Sequence, residues 1–143
     1  MNDVKKLIVA RAYYEQQEGI AEQAYYETKA NCEKKEATLK SLHDYYQQYM
    51  LSKQGAVNDP GILGNYRHFL KRLDEAIVNG QTELEQMVKL CEQRHLTLVE
   101  RKQKTAVVEK LIKKRQNAHE ARSNKQEQAM FDAIALQQWL SND

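Results

Sequence analysis

Apolar residues return every three and four positions through most of this chain, in one phase on each side of a short polar interruption. From Val4 the alternation of three and four reaches Leu7, Tyr14, Ala21, Tyr25, Cys32, Leu39, Leu42, Tyr46 and Tyr49, with Arg11, Glu18, Thr28 and Lys35 as its polar members. Beyond the interruption it reaches Tyr66, Leu70, Leu73, Ile77, Gly80, Leu84, Met87, Cys91, Leu98, Val108 and Ile112, with Arg94, Arg101 and Thr105 as the polar steps. A period of 3.5 residues puts each set on one stripe of a helix, and two stripes joined by a short loop bury themselves by folding back on each other. The pattern predicts an all-α fold, a long two-helix antiparallel coiled-coil hairpin. Helix 1 spans about 3–54, the turn about 55–62 and helix 2 about 63–138.

The interruption holds the turn chemistry. Gly55 suits the left-handed position that ends a helix, and Asp59-Pro60 reads as a cap followed by a first-turn proline. Centring the loop near residue 59 makes the numbers of facing residues add to about 118. At a rise of 1.5 Å per residue, the first helix is roughly 75 Å long and the second roughly 110 Å. Helix 1 therefore runs out opposite residue 115 or so. There the second seam turns polar, through Arg115, His119, Arg122 and Gln126, before resuming at Ala129, Ala133 and Leu136. The second helix overhangs at the C-terminus, and Met130, Phe131, Ile134, Trp139 and Leu140 on it have no intramolecular face to cover them.

Composition supports this picture. The 143 residues include one Pro, five Gly, two Phe and one Trp, against 22 basic and 20 acidic side chains. That mixture suits exposed helix better than a layered globule, and the regular Leu, Val, Ile and Tyr argue against disorder. One coiled-coil domain over 1–143 is expected. Leu7 to Ala10 is the longest apolar run near the start and stops at Arg11, so neither a signal segment nor a membrane span is predicted. Two cysteines without metal or disulfide spacing point to the reducing cytoplasm.

Little here resembles catalytic chemistry. Cys91 and His95 lie four apart on one helix, but two ligands do not make a zinc site. Cys32 and Cys91 miss the expected facing register, and disulfide geometry is tight, so both read as seam residues. His43, His68, His95 and His119 have no partners in a triad-like arrangement, and no glycine-rich phosphate loop is present. A narrow helix pair offers no closed pocket for acid–base work. No enzyme activity, cofactor or metal is expected.

Two surface features remain. The net charge of +2 is small, but Arg101, Lys102, Lys104, Lys110, Lys113, Lys114, Arg115, Arg122 and Lys125 concentrate the positive charge in one stretch that holds only Glu109 and Glu120 as acids. Such a run is a solvated face, a contact for an acidic protein surface such as the inside of a ring, or a nucleic-acid contact. Interleaved aromatics are lacking, and several of its arginines follow the seam, so nucleic acid is not the expected partner. The second feature is the tyrosine doublets Tyr13-Tyr14, Tyr25-Tyr26 and Tyr45-Tyr46. One ring of each falls on the seam and its neighbour must point away, either to cover the shaft or to meet a partner.

Around the loop the chain resembles the FliJ family of the bacterial flagellar type III export apparatus. The matching elements are Leu39-x-x-Leu42-x-x-Tyr45-x-x-x-Tyr49 before the loop and Tyr66-x-x-Phe69-x-x-x-Leu73-x-x-Ala76-Ile77 after it. Length, two-helix plan, loop position and basic second helix agree as well. The resemblance implies a non-catalytic, stalk-like partner of the export ATPase ring (FliI) that binds the export gate protein (FlhA) and escorts substrate-specific export chaperones. It also implies a cytoplasmic protein of flagellum biogenesis and motility, peripherally associated with the cytoplasmic face of the membrane without inserting into it. The family's gate-binding patch falls on Leu42, Tyr45, Tyr49, Phe69, Leu73 and Ala76, with Thr38 and Gly80 at its outer end. Thr38 stands where the family has a longer amide, and Gly80 where a large polar residue is common. In the expected register, 38 with 80, 42 with 76, 45 with 73 and 49 with 69 all add to about 118, which places the patch on four successive rungs. The same plan would serve the stalk of a virulence type III secretion injectisome, or, in another class, a basic nucleic-acid-binding coiled coil.

Overall fold

The computed structural model describes residues 2–52 and 60–142. Two helices account for nearly all of them: α1, Asn2–Ser52, and α2, Pro60–Ser141. They pack against each other as a helical hairpin, with no strand among the described residues. The expected turn at Gly55 and the capping Asp59 lie outside the described residues. Pro60 opens α2, at the first helical position where a missing backbone N–H costs nothing.

Every buried residue falls on the predicted seam. Ala21, Thr28, Cys32 and Leu39 supply it from α1, and Ile77, Gly80, Leu98, Thr105, Val108 and Ile112 from α2. The two threonines are tolerated because each hydroxyl is satisfied inside its own helix. Thr28 donates to the Ala24 carbonyl at 2.8 Å and Thr105 to that of Arg101 at 3.1 Å. Burying a Leu or Ile side chain contributes roughly 1.5–3 kcal/mol, so a few such rungs carry the pairing.

Contacts gather into two compact units. One is Ile20–Val99; the other combines Met1–Gly19 with Glu100–Asp143. Within the first, Lys35 Nζ meets the Glu83 carboxylate, and the Arg94 guanidinium donates to the Ala24 carbonyl at 3.3 Å. Within the second, Arg115 donates to the Asp3 carboxylate at 2.8 Å. All three contacts sit at the register expected from the loop position. In the second unit Ile112 is the last buried residue, and every described residue from Lys113 onward is exposed while remaining helical to Ser141.

Candidate functional site

The unit Ile20–Val99 carries the aromatic strip. Tyr49 and Phe69 pack with tilted rings whose centroids are 4.6 Å apart, and the Tyr66 ring lies 6.1 Å from that of Tyr49. The Tyr66 hydroxyl donates to the Tyr49 carbonyl, fixing that ring against α1. Within this cluster Phe69 stays 43% exposed. Its position explains why. Phe69 is one step off the seam, so the helix geometry that carries Leu70 and Leu73 inward turns Phe69 to the flank.

The remaining strip residues divide by depth. Tyr45 and Ala76 are exposed, while Leu42 and Leu73 are half-buried at the seam edge. Leu42, Tyr45, Tyr49, Phe69, Leu73 and Ala76 thus alternate between seam edge and flank. Thr38 is exposed and turns its hydroxyl back to the Lys34 carbonyl at 3.0 Å. Gly80 differs from all of these because it is buried. A Cβ added there would lie 2.5 Å from Leu39 Cδ2, so this glycine lets the two backbones approach and offers a partner no side chain.

Each tyrosine doublet splits as the seam requires. Tyr14, Tyr25 and Tyr46 are half-buried, whereas Tyr13, Tyr26 and Tyr45 are exposed. Tyr25 leans on His95 with centroids 5.1 Å apart. Beside this pair, Cys32, Val88, Cys91 and Leu96 line a shallow apolar groove. Both thiols are free, and both line this groove. Burial pushes the Cys32 thiol above its ordinary range, with the charges of Cys91, Glu36 and Glu33 adding to the effect. Among the described residues no group of three or more His, Cys, Asp or Glu side chains is placed to hold a metal ion.

The basic run occupies the unit that contains both ends of the chain. Arg101 is half-buried; Lys102, Lys104, Lys110, Lys113, Lys114, Arg115, Arg122 and Lys125 are exposed. Lys104 meets Glu100 at 3.5 Å and Arg115 meets Asp3. Among the described residues no other cation of the run forms an ion pair, so most of this charge faces solvent. No helix of the described residues is long and apolar enough to cross a membrane.

Sequence reasoning missed three of these contacts. Arg94 bonds the Thr28 hydroxyl and Ala24 carbonyl across the helix pair, Tyr25 packs on His95, and Cys32 and Cys91 meet at one groove. The heptad phase places Thr28, Arg94, Tyr25, Cys32 and Cys91 on the seam, and that was the available signal.

A paired seam with a ring-bearing flank defines a two-helix coiled-coil protein. The chain belongs to the flagellar FliJ protein family, whose model matches residues 6–143, nearly its whole length. No curated protein and no solved structure matches it. Membership makes the chain a component of the flagellar export apparatus, and the family is a non-catalytic part of that apparatus.

Proposed function

We propose that this chain is the stalk-like partner of the export ATPase ring FliI. It docks the export gate FlhA through the strip Leu42, Tyr45, Tyr49, Phe69, Leu73 and Ala76, and it escorts substrate-specific export chaperones. The observation that carries the gate contact is Phe69, left 43% exposed beside Tyr49. A hairpin gains little by holding a large ring at its flank, whereas exposed Phe and Tyr on a rigid scaffold suit a protein contact. The exposed cations from Lys102 to Lys125 support an acidic surface of the ring as the second contact. In this reading the protein works in the cytoplasm, held at the cytoplasmic face of the membrane by its partners.

The test pairs binding with folding. Phe69→Ala together with Tyr45→Ala, both exposed on the flank, should weaken capture of the gate's cytoplasmic part by at least about tenfold, with helicity and melting nearly unchanged. A large drop in melting with gate binding retained would return both residues to the core. Export ATPase activity with and without the chain tests the ring contact separately.

A further inference from the structure

The seam of α2 does not stop where its partner does. Asp3, at the start of α1, meets Arg115, and Ile112 is the last buried side chain. The same heptad phase then continues, open to solvent, in two parts. The first is polar, with the cations Arg115 and Arg122 on either side of His119; the second is apolar, with Ala129, Ala133, Leu136 and Leu140. Phe131 and Trp139 flank the apolar part at 68% and 66% exposure. This strip runs through α2 for about 40 Å, the length of a seven-turn helix.

The arrangement constrains what can cover it. A second copy aligned in parallel would set Arg115 on Arg115 and Arg122 on Arg122, placing like charges at seam positions. An antiparallel second copy over the whole strip would set Arg115 against Leu140, His119 against Leu136 and Arg122 against Ala133. Arg122 would then be desolvated against an apolar side chain with no counter-charge, and the His119 ring would lose its water. Both halves are satisfied together only by a helix acidic along one half of its stripe and apolar along the other.

We propose that residues 115–140 form a docking strip for one such amphipathic helix of another protein, which completes the coiled coil where α1 leaves off. The incoming helix sets its carboxylates against His119 and Arg122 and its apolar half against Leu136 and Leu140. Helix addition of this kind needs no movement of α2, because the strip is already helical through Ser141. The inference rests on the acidic-partner role proposed above for the basic run and narrows that role to a single helix.

Trp139 is the only tryptophan of the chain and stands beside the strip, so its emission reports on docking directly. The probes are two designed 28-residue peptides with Glu along half of the stripe and Leu along the other, written in opposite chain directions. A third peptide of equal apolarity carries Lys in place of Glu. Mixed with the full-length chain, at least one acidic peptide should shift Trp139 emission to the blue and gain helicity. Its affinity should fall about tenfold with Arg122→Glu and recover when Lys replaces Glu in the peptide. Equal binding of the Lys peptide, or no shift with either acidic peptide, overturns the proposal. So does a Trp139 shift that grows with the chain's own concentration, because that would mean self-pairing. The gate-binding strip and the ATPase assay are untouched by Arg122→Glu readouts on free peptide, so failure of the helix dock and failure of the ring contact give different results.

Discussion

Gly80 and Leu39 are packed so closely that a methyl group on the glycine would come within 2.5 Å of Leu39 Cδ2. Gly80 therefore has a reason to be glycine that Gly19 lacks. Both interrupt long helices, but a Cβ on Gly19 meets nothing within 4 Å. Gly19→Ala should stabilise the protein by up to about 1 kcal/mol, the helix-propensity difference alone. At Gly80 the same gain is opposed by displacement of a buried Leu, so Gly80→Ala should give less, and Gly80→Leu should destabilise by about 1–3 kcal/mol. Urea unfolding followed by circular dichroism ranks the three variants.

Arg94 predicts a cost that its surface-like chemistry hides. Its guanidinium is half-buried and satisfies the Thr28 hydroxyl and the Ala24 carbonyl on the opposite helix. Arg94→Met keeps most of the aliphatic stem and removes both bonds. It should destabilise by about 1–2 kcal/mol, reduced toward the lower end by solvent at the seam edge. Thr28→Val, which leaves the carbonyl bond in place, should cost less. Denaturant midpoints of the two single variants and the double variant would show whether they act through one network.

The two thiols should differ in reactivity although they line one groove. Cys91 is half-buried and reachable from the groove beside Tyr25, while Cys32 is buried and its thiol is held above the ordinary range by desolvation. Alkylation proceeds through the thiolate, so Cys91 should react first and Cys32 should need higher pH or local opening. The sign also applies to stability. A thiol raised in the folded state is stabilising to bury while neutral, and that contribution is lost as alkaline pH ionises it in the unfolded chain. Mass spectrometry of iodoacetamide adducts over time, from neutral to mildly alkaline pH, checks the order.

The ion pair between Asp3 and Arg115 should matter little to stability. Both side chains are more than half exposed, so solvent and salt screen their attraction. Asp3→Asn should shift the unfolding midpoint by no more than the error of the measurement at physiological ionic strength. A clear loss would mean the start of α1 is held more tightly than this exposure allows.

The seam was legible because burial in a helix pair follows a period, and a period can be counted without coordinates. Ala21, Leu39, Ile77, Leu98, Val108 and Ile112 all sit where that count puts them. The flank position of Phe69 was legible for the same reason, one step away from the stripe. The shared groove of Cys32 and Cys91 was not, because a register rule that matches rung to rung overlooks diagonal neighbours about a turn away. Arg94 with Thr28 escaped for a different reason. Polar residues on a stripe read as interruptions, and only geometry shows that two of them satisfy each other. The nature of the partners lies further off, since a docking strip is defined by a surface on another molecule.

No described side chain in this protein is fully enclosed; even Thr28, the most buried of them, keeps 3% of its surface. Most positions therefore answer only to being helical and soluble, and few to an exact shape. Such a chain can drift far in residue identity while its stripe period holds. Substitutions that keep the rhythm of side-chain size and polarity should therefore cost little at most positions.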